Sequence, residues 1–144
     1  GGGDQVVFGS EDLGDLGIAR AQASGPLMAG TLYDARVVIF NRKVEPGKNL
    51  TAAIREAGND YQLFVVAEPD NIFQNIDYED MDDNGNPLGL NMSFETSDRF
   101  VAGQIRFVLK RNPNKSELFT PGMSIPNSVG GEDLIDVSME VIVQ

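Results

Sequence analysis

The feature that most constrains this chain is apolar alternation with a period of two residues. Within residues 101–110, Val101, Gly103, Ile105, Phe107 and Leu109 fall on one face and Gln104, Arg106 and Lys110 on the other. Near the C-terminus Ile135, Val137, Met139, Val141 and Val143 alternate with Asp136, Ser138, Glu140 and Ile142. Leu90, Met92 and Phe94 alternate with Asn91, Ser93 and Glu95. Successive side chains of a strand point to opposite faces. Each pattern therefore predicts a strand with one buried and one wet face, the habit of antiparallel sheets.

Two further stretches, residues 31–40 and 61–67, are apolar on both faces. They read as central strands, or as strands whose outer face something else covers. Residues 5–8 and 17–23 are weaker strand candidates. Gly, Pro, Asn and Asp pairs such as Pro46-Gly47, Asn84-Gly85, Pro121-Gly122 and Gly130-Gly131 punctuate these stretches. One helix is expected over residues 49–58, with Asn49 as its cap and Gly58 as its stop. A two-turn helix suits a sandwich better than the long crossovers of a βαβ protein. The expected fold is all-β, an antiparallel two-layer β-sandwich or jelly roll of about seven or eight strands with one short helix. Residues 1–16 read as a flexible, acidic, Gly-rich arm, and residues 17–144 as a single domain.

The absences narrow the chemistry. Without Cys or His there is no thiol nucleophile, thiolate metal site or histidine-based triad. A net charge of −11 repels nucleic acid and anionic lipid surfaces. No apolar run approaches the roughly 20 residues of a spanning helix, so neither nucleic acid nor a membrane span is expected. Cations, neutral glycans and proteins remain as partners. Carboxylates could serve glycoside hydrolysis, but acids are so abundant that their presence discriminates nothing, and the chain has no Trp for a sugar platform. The expectation is that it is not an enzyme.

The sharpest local feature is the acidic loop over residues 77–86, in a stretch with no Lys or Arg between Arg55 and Arg99. Asp80, Asp82 and Asn84 at alternate positions before Gly85 reproduce the opening of a calcium loop, with Asp83 beside them. The pattern then departs from an EF-hand, because the twelfth position is Asn91 rather than Glu. Calcium is the candidate ion; the plainer reading is a solvated Asn-Gly hairpin. Phe73 and Tyr78 flank the loop and are candidate glycan contacts, or simply residues packed beneath it and at its rim.

Three features point to assembly. Val6, Val7 and Phe8 form a β-prone knot in the arm, able to complete the sheet edge of another copy or to fold back onto its own domain as a first strand. Lys110, Arg111 and Lys115 form the one basic cluster, able to dock the acidic loop or arm of a neighbour. The hydrophobic strand ending at Val143 must also be paired, within the chain or across an interface. The expected function is a non-enzymatic structural subunit that self-assembles or joins other structural proteins, in an extracellular filament, a pilus-like fibre or a virion. The alternative is a calcium-stabilised, glycan-binding module of a surface protein.

Overall fold

Residues 101–111 and 132–143 form the two longest strands, paired with each other along most of their length. In chain order the elements are β1 (Phe8–Asp12), β2 (Ala19–Ala23), β3 (Leu32–Arg36), β4 (Phe40–Asn41), β5 (Lys48–Asn49), α1 (Thr51–Glu56), β6 (Tyr61–Glu68), β7 (Phe73–Tyr78), β8 (Asn91–Thr96), β9 (Val101–Arg111) and β10 (Glu132–Val143). The computed structural model describes residues 8–12, 19–23, 26–37, 40–41, 48–49 and 51–144, with side chains for 26–37 and 51–144.

The fold is mostly β, with one α-helix among the described residues. Six strands build two antiparallel three-stranded sheets, in the orders β10–β9–β6 and β3–β8–β7. Four shorter strands form the ladders β1–β2 and β4–β5. Six sheet strands plus two small ladders replace the seven or eight strands expected.

The predicted alternation carries the core. Along β10, Val137, Met139, Val141 and Val143 are buried while the residues between them are exposed. The ladder slips at Leu134, between Asp133 and Ile135, which leaves that side chain outside. Leu63, Val65 and Ala67 of β6 share one buried cluster with Ile105 and Leu109 of β9. The same cluster takes Phe73 and Ile76 from β7 and Met92 and Phe94 from β8, so both sheets contribute to a common core. Phe73 and Phe94 pack ring against ring at 5.1 Å.

β6 is apolar on both faces because its outer face is also covered. Phe64 and Val108 pack there against Val129, Phe119 and Ile125 of the β9–β10 connection. Phe64 and Phe119 meet edge to face at 4.9 Å. β3 differs. It lies at the edge of its sheet, not in the centre, and its outward residue Leu32 is 66% exposed. The strand ends at Arg36, and residues 38–39 of the expected stretch lie outside the described residues. β7 was not legible as a strand, because a register shift between Phe73 and Asn75 breaks its alternation.

The first and last described strands are paired within the chain. Val6 and Val7 lie outside the described residues, while Phe8 opens β1 and pairs with Ala23 of β2. The arm expected over residues 1–16 thus contains a strand engaged by its own chain, and β2 in turn lies against β10. β10 also pairs on its other side, where the Leu27 N–H donates to the Ile142 carbonyl at 2.8 Å. Helix α1 is shorter than the predicted span and buries Ile54; Asn49 sits in the β4–β5 ladder. Among the described residues no helix is long and apolar enough to cross a membrane.

Candidate functional site

The β7–β8 connection is organised by two carboxylates that bind their own backbone. Asp82 Oδ1 accepts the N–H groups of Asn84 at 2.8 Å and Asn86 at 2.9 Å, which closes the turn around Gly85. Asp80 accepts N–H groups from Gly89 at 2.8 Å, Leu90 at 2.9 Å and Asn91 at 3.2 Å, tying the loop to the start of β8. Short Asp side chains compete well for nearby backbone donors, which is why such residues favour turns. Gly89 has φ +103°, and a Cβ there would stand 2.8 Å from the Leu63 carbonyl and 2.9 Å from the Tyr78 ring. Only glycine lets the loop pass so close to β6.

The loop is not without cations. Lys115 reaches it from the β9–β10 connection, 33 residues away, and its Nζ donates to Asp82 Oδ2 at 2.8 Å. The same ammonium donates to the carbonyls of Gly58 at 2.8 Å and Pro87 at 3.3 Å. The Asp82 side chain is fully buried and that of Lys115 is 7% exposed. Burial alone would raise the Asp82 carboxyl, but the Lys115 hydrogen bond and the two backbone donors outweigh it and hold the group below its ordinary range. Arg55 of α1 stands 3.9 Å from Asp80. Lys115, expected to dock the acidic loop of a neighbouring copy, instead clamps the acidic loop of its own chain.

The other expected metal residues are placed differently. The Asp83 backbone N–H donates to Asn59 Oδ1 at 3.0 Å, and both Asp83 and Asn84 are exposed. Among the described residues no three acidic side chains gather as a metal-binding group. Asp80, Asp82, Asp83 and Asn84 lie in one loop, but the oxygens of Asp80 and Asp82 already face protein donors.

Phe73 and Tyr78 do not form a platform. Phe73 is buried in the core. The Tyr78 hydroxyl donates to the Leu63 carbonyl at 2.6 Å and accepts from Gln62 Nε2 at 3.4 Å. Burial pushes this phenol above its ordinary pKa, opposed by the Gln62 hydrogen bond and aided by the Asp80 charge.

The other two residues of the basic cluster are also engaged within the chain. Lys110 pairs with Asp133 and Arg111 with Glu132, directly across the β9–β10 ladder. Arg106 forms a bidentate pair with Asp136, at 2.8 and 2.6 Å, on the face of β9 that it shares with Lys110. The Arg106 hydrogen bond holds the Asp136 carboxyl below its usual range against some desolvation. None of these partners was signalled in the sequence, because each lies more than 20 residues away along the chain. Beside Arg106 runs a shallow groove of about 300 Å³, bounded by Val66, Glu68, Gln104, Ser124 and Ser138.

Compared with known proteins, the chain matches no family model, no curated protein and no solved structure.

Proposed function

We propose that this chain is a non-enzymatic β-sandwich subunit that associates with copies of itself in a larger structural assembly. The two three-stranded sheets are its layers, packed through their common core. The observation that carries this reading is an asymmetry of sheet edges. The β6 edge is covered by Leu88, whose carbonyl accepts the Leu63 N–H, and by Gly122, which exchanges hydrogen bonds with Val65 and Ala67. The β10 edge is covered by Leu27 and Ala29. β3 and β7, by contrast, pair only with β8 among the described residues. An open strand edge is a ready template for another strand, and folds that work alone usually protect it.

The charged side chains support a non-catalytic role. Asp82, Lys115, Arg106 and Asp136 neutralise one another in pairs. An extracellular filament or a virion is the setting this reading suits. Light scattering across a range of concentrations, with electron microscopy, tests it with and without calcium. Mass that rises with concentration, or regular particles, is the expected result. A monodisperse monomer at millimolar concentration overturns it.

The groove beside Arg106 favours a second reading, a module holding a small polar ligand such as a glycan. Its amide, hydroxyl and carboxylate groups suit sugar hydroxyls. Retention on a glycan array that Gln104→Ala abolishes is the result this reading expects; no retention removes it.

A further inference from the structure

We propose that two copies of this chain join edge to edge through β3, antiparallel about a twofold axis at Ala35. This rests on the self-association reading and specifies its interface. The backbone of β3 sets the geometry. The Val37 N–H donates to the Leu90 carbonyl and the Thr96 N–H to the Thr31 carbonyl, which marks the odd-numbered residues as those bonded to β8. In an antiparallel ladder the alternate residues face the other way. The N–H and C=O groups of Leu32, Asp34 and Arg36 therefore point to the free edge.

A second β3 running antiparallel meets the backbone groups of Asp34 and Arg36 in one register that also pairs their charges. With Ala35 opposite Ala35 of the second copy, Asp34 faces Arg36 and Arg36 faces Asp34. Each is a hydrogen-bonded pair, so about four backbone hydrogen bonds form across the junction. Asp34 and Arg36 are exposed and form no ion pair within the described chain, unlike Arg106, Lys110, Arg111 and Lys115. One acid and one base two residues apart on a strand are self-complementary under a twofold axis. On the inward face the same register sets Tyr33 against Val37, both left partly buried at the rim of the core. The joined sheets continue as β7–β8–β3 followed by β3–β8–β7.

The other open edge fits less well. β7 is broken by its register shift, and bulged strands resist edge pairing. Its outward face carries Asp77 and Asn75, hydrogen-bonded to each other, with no base.

The full-length chain tests the proposal by sedimentation equilibrium, with circular dichroism to confirm folding. Asp34→Arg alone and Arg36→Asp alone each create two like-charge pairs, and each should weaken dimerisation by about tenfold or more. The double exchange, Asp34→Arg with Arg36→Asp, restores complementarity and should recover the parent affinity. Because the chain has no Cys, Ala35→Cys adds a single thiol, and opposed non-hydrogen-bonded residues lie close enough to bridge on oxidation. Self-association unchanged by all three charge variants, with no disulfide-linked dimer, overturns the β3 interface while leaving self-association standing. A parent chain that stays monomeric overturns both.

Discussion

The sheet β10–β9–β6 and the sheet β3–β8–β7 are equal in strand number and feed the same core, yet they finish their borders in opposite ways. The first has both edges covered by irregular chain, its outer face packed under Phe119, Ile125 and Val129, and its surface charges paired across the ladder. Among the described residues the second keeps two open edges, and Asp34 and Arg36 of β3 form no ion pair. Equal strand number and a shared core do not make equal interfaces. Among the described residues, the chain's own connections close the first sheet and leave both edges of the second unpaired. Lys115 joins the two, since it rises from the β9–β10 connection and is buried against the β7–β8 loop.

That clamp is where the comparison breaks most visibly. Lys115→Ala leaves the Asp82 carboxylate buried without its cation, and a loss of about 3–5 kcal/mol is expected in urea unfolding. Replacing both partners with apolar residues, Lys115→Met with Asp82→Leu, should recover only part of that loss, because the Asn84 and Asn86 N–H groups and the Gly58 carbonyl lose their partners as well. A single-variant loss below about 1 kcal/mol would mean that the two sheets are not tied together here. Gly122 has φ +93° and covers β6, so Gly122→Ala should cost about 1–3 kcal/mol and loosen that edge. Hydrogen exchange should then show the amides of Val65 and Ala67 opening faster; unchanged protection would mean that the cover is incidental.

The pH dependence sharpens the same contrast. The Asp82 carboxyl is depressed in the folded state, so its contribution is present above the unfolded value of about 3.9 and is lost as pH falls through the lower folded value. Thermal melts should hold down to about pH 4 and fall steeply below it, and Lys115→Ala should flatten that fall. Asp82 is already held by Lys115, so millimolar calcium should leave the melting temperature unchanged; a clear rise with calcium would reopen the loop as an ion site. The smallest effect belongs to the surface ladder. Arg106 and Asp136 are both more than two-fifths exposed, and Arg106→Ala should cost about 1 kcal/mol or less, shrinking further in high salt.

The strands legible in advance were those whose side chains obey a local rule. Val137 to Val143 alternate because their neighbours along the chain do, and the two-faced apolarity of residues 61–67 announced a cover without naming it. β7 escaped notice because one bulged residue disrupts a period of two. The acidic loop was legible as a turn, but its buried cation was not, because Lys115 lies 33 residues from Asp82 along the chain. Phe73 and Tyr78 carried two readings, as glycan contacts or as residues packed beneath the loop and at its rim; Phe73 fills the core and Tyr78 caps a carbonyl of β6.

Sequence alone determined the all-β class, the principal core strands and the absence of thiol and imidazole chemistry, since these follow from residue identity and from spacing along the backbone. The tertiary structure decided which edges are covered and which charges meet. Those depend on how distant segments cross: burying Phe119, Ile125 and Val129 on the outer face of β6 and β9 carries Lys115 to Asp82, while β3 is left at the border with its acid and base facing out.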